Sequence, residues 1–483
     1  MKKLIVSLFV LMGFHVVGQN QWTLEQCVEY AFENNLQIKQ STLAIDQARV
    51  ERNAAKANAA PNLNFNTGYF WQFGSSIDPV TNTRTLGGTN AQTNSSTLSA
   101  NWTIFGGLDN YNAIKQTKLD YLVATYNLED MRNDVAINIA GQYLQVLFNK
   151  EVVNINTLVL ENSEKLYLQT KKRYEAGAVA KGDLLQIEAQ KASDEQALVA
   201  AENNLNLSVL QLAQTLQLDT IADFDIVAPE LELPDSYLMA MSPDDIYYQA
   251  IDLQPGVKSA EYNVLSSEYA VSRSKAGYMP RLTLSAQLNS NFSTRAPDFS
   301  QDNVTATNPS VIGQVPNPVD PTNPILVYDF GGFDLIDDSR YPAFGTQYEN
   351  NFNQFIGFNL QVPIFNNLNV KRNVSNSKLQ LENSKVAYEQ AKMDFRQTVQ
   401  RAHSDALASY KSYQSAVKSV ESNKESFEYA EKRRQEGAIN QYEYDNARIL
   451  YLNAISQQLQ SKYDYIFKIK VLEFYLSNKL SLD

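Results

Sequence analysis

Apolar and polar residues alternate with period two in four stretches of the chain. Leu63, Phe65, Thr67, Tyr69, Trp71 and Phe73 alternate with Asn64, Asn66, Gly68, Phe70 and Gln72. Leu98, Ala100, Trp102 and Ile104 alternate with Ser99, Asn101 and Thr103. The third stretch sets Leu282, Leu284, Ala286 and Leu288 against Thr283, Ser285 and Gln287. The fourth sets Ile356, Phe358, Leu360, Val362 and Ile364 against Gly357, Asn359 and Gln361. Such patterning predicts strands with one apolar and one polar face. At about ten residues each, they have the length of transmembrane strands. Alternation alone fits a soluble sandwich better; the helices and the leader described below reverse that preference.

Between the strand pairs lie long helical patterns. Leu368 to Glu436 contains neither Gly nor Pro, and Leu108 to Ala176 contains only Gly141. Both stretches are rich in Ala, Leu, Glu, Lys and Gln, strong helix formers. At 1.5 Å per residue, each would run for about 100 Å. In the later stretch Val399, Ala402, Ala406, Tyr410, Tyr413, Val417, Val420 and Phe427 make a coiled-coil-like seam with one irregular step. The earlier one carries two stripes, Ala136, Ile139, Tyr143 and Val146 beside Ala140, Leu144 and Leu147. Two stripes suit a helix packed between two neighbours.

Each long helix is expected to stop at a glycine and turn back. Lys171, Lys172 and Arg173 precede Gly177, and Lys432, Arg433 and Arg434 precede Gly437. Cations in a last turn with Gly just beyond are helix stop signals. A second amphipathic run follows each stop, from Asp183 to Leu218 and from Glu443 onward. Gly177 and Gly437 stand 260 positions apart, as do Leu108 and Leu368, whereas Pro61 and Pro280 stand 219 apart. An internal duplication with 41 extra residues in the second half accounts for both offsets. The expected organisation is a first repeat over 19–242, with strand pair 63–105, helical hairpin 108–218 and linker 219–242. The second repeat covers 243–483, with strand pair 282–365 and hairpin 367–479. The extra length falls in 293–350, whose seven prolines predict an irregular surface loop, as the polar stretch Gly74–Ser96 also does.

Composition narrows the chemistry. Of 483 residues, 41 are Lys or Arg, 53 are Asp or Glu, two are His and one is Cys. One His and one Cys outside the leader cannot build a His-based triad or a Cys/His zinc site, and nothing calls for a cofactor. His403 lies at a polar step of the long helix, where a packing or surface role suffices. The net charge of −12 disfavours nucleic acid, which selects clustered Lys and Arg. Lys2 and Lys3, the apolar run Leu4–Val17 and Gly18 describe a secretory signal peptide over 1–18. The run is too short to span a bilayer, which takes about 20 residues. Cys27 lacks the small apolar neighbours of a lipid-attachment site and reads as a buried helix residue.

A sheet in lipid must close, because each unpaired edge amide costs several kcal/mol there. Four strands do not make a barrel, for which about eight is the usual minimum. Sister copies must therefore supply the rest. Eight strands would fill their own interior, so three chains and a twelve-stranded barrel, continued by a coiled-coil barrel of helices, make the consistent architecture. Gly106, Gly107, Asn366 and Asn367, with Pro61, Pro280 and Pro363, mark the strand–helix junctions.

These residues carry a resemblance. The opening WTLEQCVEYAFENNLQIKQ, the strand entries AAPNLNF and YMPRLTL, and the junction IFGGLDN resemble the TolC-like outer-membrane efflux proteins of Gram-negative bacteria. So do the turns YEAGAVAKGDLLQIEAQ and RRQEGAINQYEYDNARIL. The resemblance implies a homotrimer whose barrel sits in outer-membrane lipid and whose helices cross the periplasm. It also implies docking of the tips onto a periplasmic adaptor and an inner-membrane pump. In the family, carboxylates six and nine residues after the second tip glycine narrow the pore. Here those positions are Glu443 and Asn446, and their first-half counterparts are Asp183 and Gln186. Three copies of Glu443 would make a cation-attracting ring; equally, Asp183 and Glu443 suit helix N-termini. Arg173, Arg433 and Arg434 are either dipole partners at helix ends or clasps for those carboxylates. An exported adhesive coiled-coil protein is the rival reading, but it leaves the paired strands unexplained. A periplasmic enzyme would need a convergent polar site that the sequence does not offer.

Overall fold

In the computed structural model the described residues are 21–74, 76–77, 84–85, 90–220, 224–229, 233, 237–298, 300, 303–306, 309–329, 333–335 and 340–477. The expected signal peptide and parts of the linker 219–242 lie outside them. The chain opens with β1 (Gln21–Trp22), α1 (Leu24–Asn34), α2 (Leu36–Ala57), β2 (Asn62–Phe73), β3 (Ser76–Ile77), β4 (Arg84–Thr85) and β5 (Asn90–Gly106). It continues through α3 (Asp109–Glu175), α4 (Lys181–Leu216), β6 (Asp225–Ile226), α5 (Tyr237–Ala240), α6 (Pro243–Ala250) and α7 (Pro255–Lys275). Then come β7 (Arg281–Ser293), β8 (Val304–Ala306), β9 (Ser310–Val315), β10 (Ile325–Asp329), β11 (Phe333–Leu335), α8 (Phe344–Asn350), β12 (Asn353–Gln361), α9 (Asn369–Gln435) and α10 (Gln441–Ser477). Two compact units result, one formed by 53–114 with 270–376 and the other by the remaining segments.

The first unit holds one antiparallel four-stranded sheet in the order β12-β7-β5-β2. Its registers put the alternating residues on common faces. Phe65, Leu98 and Leu288 lie in one row, and Ala100, Ala286 and Ile356 in another. That apolar face is open in the single chain: Ile356 is 73% exposed and Phe358 71%. The outer edges of β2 and β12 have no strand partner among the described residues. Where β5 meets Arg281 and Leu282 the register slips at Ile104, a bulge.

Three sequence expectations need correction. β5 begins at Asn90, inside the stretch expected to be loop. Its polar start is held on both sides, by β2 and β7, and by bonds such as Thr67 Oγ1 to Ser96 Oγ at 2.8 Å. β12 ends at Gln361 rather than Ile364, because Pro363 brings no N–H to the ladder. The described residues of the stretch 293–350 are not wholly irregular. They carry the ribbons β9–β10 and β8–β11 and the helix α8, though none of these strands joins the main sheet.

The second unit is helical. α3 and α9 contain 67 residues each, and each is followed by a partner that runs back along it. Asn149 bonds to the carbonyl of Asn204 and Glu164 pairs with Lys191, which fixes the antiparallel register of α3 and α4. Both expected stripes of α3 are buried: Ile139, Tyr143, Val146 and Leu147 are at most 2% exposed, and they pack with Cys27, Ile38, Leu212 and Leu216. A second core gathers Ile246, Phe395, Val399, Ala406, Tyr465, Ile469 and Leu472. The α9 seam departs from its heptad beyond Tyr413, where Ala416 is buried and Val417 exposed. A straight helix drifts against a 3.5-residue repeat, and the smaller side chain follows the contact line. Thr23 caps α1 with a reciprocal Gln26 bond, and Asn35 separates α1 from α2 and caps α2, its Oδ1 accepting from Gln37 N at 2.8 Å. Cys27 is fully enclosed, and burial pushes its thiol up to about 12, with Glu25 adding to the shift. Among the described helices none is long and apolar enough to cross a membrane.

Candidate functional site

The two helical tips share one backbone design. After α3, Gly177 adopts φ +74°; its N–H donates to Tyr174 O at 2.8 Å, and Ala178 N–H donates to Arg173 O at 2.8 Å. After α9, Gly437 also adopts φ +74°, with Gly437 N–H to Arg434 O at 3.0 Å and Ala438 N–H to Arg433 O at 2.8 Å. Both are Schellman caps, which satisfy the last carbonyls and need a left-handed residue at their centre. A methyl group on either glycine would meet open space, so the backbone angle alone selects Gly.

The returning helices begin with the predicted carboxylates. Asp183 stands in the first turn of α4, exposed, with its N–H bonded to Ala180 O at 3.2 Å. Glu443 stands in the first turn of α10, where Asn440 caps the helix: Asn440 Oδ1 accepts from Glu443 N at 2.8 Å. Asn440 Nδ2 in turn donates to Glu443 Oε1 at 3.3 Å. Both carboxylates thus complement a helix N-terminus, and both remain open to solvent in the single chain. Gln186 and Asn446 are exposed as well. Asp445 points the other way: it is buried, accepts from Gln441 Nε2 at 2.8 Å, and burial raises its pKa.

Arg173, Arg433 and Arg434 occupy the last turns of α3 and α9. Among the described residues none of the three makes an ion pair with Asp183 or Glu443. Arg434 instead lies 4.3 Å over the ring of Tyr444.

Arg448, which sequence reasoning missed, is a largely buried cation that does engage a carboxylate near the tips. Its Nη2 donates to Asp194 Oδ2 at 2.8 Å and Ser163 Oγ at 3.0 Å, tying α10 to α4 and α3. Ser163 donates to the same carboxylate oxygen, and Gln190 Nε2 to the other at 2.9 Å. The Arg448 and Asp194 side chains are only 12% and 10% exposed. A signal was present: Ile187, Asp194, Ala201 and Ser208 are all buried and recur every seven residues, so an Asp occupies a seam position.

At the strand–helix junctions left-handed backbone falls on four residues, two of which the sequence reading did not single out. Gly106 ends β5 and Asn366 keeps ordinary angles, whereas Gly107 and Leu108 have φ +65° and +68°, and Asn367 and Leu368 have +53° and +60°. A Cβ on Gly107 would come within 2.7 Å of both Ala276 O and Met279 Cβ. Pro61 and Pro280 directly precede β2 and β7, and Pro363 follows β12. A cavity of about 680 Å³ opens here, lined in part by Asp109, Arg273, Arg281 and Pro363. Arg273 Nε pairs with Asp109 Oδ1 at 3.0 Å. Among the described residues no group of His, Cys, Asp or Glu is placed to hold a metal ion.

Comparison with known proteins adds the context for this geometry. Residues 28–216 and 339–473 match the family model described as outer membrane efflux protein. A probable outer membrane lipoprotein of Salmonella typhimurium, SilC, is 22% identical over 272 residues, which is 54% of this chain and 54% of that protein. The chain thus spans about half the length of that curated relative. Among solved structures, CusC superimposes with a TM-score of 0.70 at 15% identity, covering 94% of this chain and 91% of that one. The Campylobacter jejuni outer membrane channel CmeC gives 0.67 at 18% identity, covering 94% and 85%.

Proposed function

Because the chain belongs to the outer membrane efflux protein family, an assignment that also places it in the outer membrane, we propose that it is the exit duct of a tripartite efflux or type I secretion system. One observation carries this reading: a four-stranded sheet with an open apolar face and two edges that have no strand partner among the described residues. Such a sheet suits lipid only when neighbours close it, and three chains give a twelve-stranded barrel wide enough for an aqueous interior. The helical hairpins would form a periplasmic cylinder that meets an adaptor and, through it, an inner-membrane pump. Matching left-handed backbone at 107–108 and 367–368, and at 177 and 437, supports the two-repeat organisation.

In this reading the tips gate the duct, and no residue performs covalent chemistry. Glu443, exposed at the start of α10, would form a ring with its two copies and favour cations at the constriction. Asn446 cannot add a second ring of charge, so the barrier would rest on one carboxylate layer. The test is conductance of the purified protein in planar bilayers, beside an unheated and a heated gel of the membrane extract. A heat-sensitive trimer in the outer-membrane fraction, and reduced cation selectivity in Glu443→Ala, are expected. A soluble monomer would remove the channel reading; unchanged selectivity in the variant would remove Glu443 from the constriction.

A further inference from the structure

We infer that residues 340–352 form an interfacial anchor, a short helix lying on the lipid side of the sheet whose exposed rings enter the headgroup region of the outer leaflet. The inference rests on the proposed reading of the apolar sheet face as the lipid-facing one.

The geometry begins with parity along β7. Leu282, Leu284, Ala286 and Leu288 point to the apolar face, and so do Ser290 and Phe292 farther along. At Ser290 the face turns polar, because its row continues through Ser96 and Thr67. Eight residue steps separate Leu282 from Ser290, about 27 Å along the strand at 3.4 Å per residue. With a tilt of about 40° this spans roughly 21 Å of height, close to the roughly 25 Å apolar band of outer-membrane barrels. The Ser290 row therefore stands where hydrocarbon gives way to headgroups.

α8 lies across that row and satisfies it. Ser290 Oγ donates to Tyr348 O at 2.8 Å, and the Tyr348 hydroxyl meets Ser96 Oγ at 2.7 Å and also bonds Asn94 Oδ1. The Gln347 amide imitates a strand partner: Oε1 accepts from Ser293 N at 3.0 Å and Nε2 donates to Ser293 O at 2.9 Å. Beneath the helix Phe292 is buried, with its ring 5.1 Å from Phe344 and 5.9 Å from Tyr341. The outer sides of those two rings stay open: Phe344 is 47% exposed and Tyr341 44%. On β2, Tyr69 and Trp71 stand on the same face at the same level, 40% and 61% exposed. Exposed aromatic rings at the edge of an apolar band are what a membrane interface selects.

The occupant is lipid rather than another copy of the chain. α8 continues the line of β12 beside β7, with Gln347 on the Ser293 backbone. Tyr348, however, crosses β7 to Ser96 of β5, and the open rings of Phe344 and Tyr341 stand with Phe292 on the apolar face, whereas neighbouring copies would pair in the plane of the sheet along the edges of β2 and β12. α8 is continuous with the apolar face and sits on the opposite side of the sheet from the polar residues Ser99, Asn101 and Ser285.

Single-tryptophan reporters test this. In a full-length background with Trp22, Trp71 and Trp102 replaced by Phe, Phe344→Trp is reconstituted into vesicles of phosphatidylcholine brominated either near the headgroup or near the acyl terminus. A ring held about 5–10 Å deep should lose roughly half its emission to the shallow quencher and much less to the deep one. Val319→Trp, in a loop position 90% exposed, should not be quenched by either. Ile356→Trp, on the apolar face, reports the underlying reading: if it is unquenched, the membrane assignment of that face fails. If Ile356→Trp is quenched while Phe344→Trp and Tyr341→Trp emit as in unbrominated lipid, the anchor alone is overturned. Tyr341→Trp is the second reporter should Phe344→Trp not assemble.

Discussion

Leu108 and Leu368, 260 positions apart, both hold left-handed backbone, with φ of +68° and +60°, and each stands at the threshold of a 67-residue helix. A branched side chain in this region costs roughly 1–2 kcal/mol, so the strain is kept at both junctions. Leu108→Gly should relieve it and raise the thermal midpoint by the equivalent of about 1 kcal/mol. Circular dichroism of the detergent-solubilised protein reads the shift; a lower midpoint would show that the Leu108 side chain earns its place by packing.

Two glycines with similar angles should respond differently to alanine. Gly177→Ala faces only the backbone cost, about 1–2 kcal/mol, since nothing lies within 4 Å of the added methyl. Gly107→Ala adds a collision with the Ala276 carbonyl and Met279. Its midpoint should fall well below that of Gly177→Ala in the same melt, and equal midpoints would mean that the close approach is not maintained.

The Arg448–Asp194 pair predicts non-additive losses. Removing one partner leaves a largely buried charge uncompensated, which costs about 3 kcal/mol or more. Arg448→Met should therefore destabilise more than the double change Arg448→Met with Asp194→Leu. A double-mutant cycle from denaturant titrations measures this; additive effects would show the pair to be loosely hydrated.

Asp130 predicts a pH-dependent gain. Burial, with the neighbouring Asp134 adding, holds its carboxyl above the usual 3.8, although the Gly256 N–H opposes the shift. A raised native pKa means that the folded chain holds the proton more tightly than the unfolded chain does. Stability therefore falls as pH climbs from 3.8 through the raised value, and stays reduced above it. Asp130→Asn should raise the midpoint near about pH 7.5 and lose that advantage near about pH 3.5, where both forms are neutral. The same advantage at both values would point to packing instead of ionisation.

Cys27 gives a simple check on the helical core. Fully enclosed and shifted to about 12, its thiol should ignore maleimide at neutral pH and react only after denaturation. Rapid labelling of the native protein would place α1 outside the core.

Much of this architecture was legible because one residue type at one place carried the signal. Gly177 and Gly437, each behind a run of cations, announced the tips; alternation announced β2, β7 and most of β12. Legibility failed where structure depends on distant partners. Asn90 to Thr97 has no apolar alternation, and the flanking strands make it β. α8 has seven residues in a proline-rich stretch, and tertiary bonds from Gln347 and Tyr348 hold it in place. Asp194 and Arg448 are 254 positions apart, so only folding shows that they meet. At the junctions Gly107 and Asn367 were readable from their tolerance of unusual angles, whereas Leu108 and Leu368 give no such sign.

The outer margins of β2 and β12, which no strand covers among the described residues, have a genetic corollary. Under the proposed three-copy ring, a copy damaged along either margin withholds ladder partners from healthy sisters on that side, so the loss spreads beyond the copy that carries it. Alleles that place proline in those strands should therefore act as dominant poisons when expressed beside the wild type.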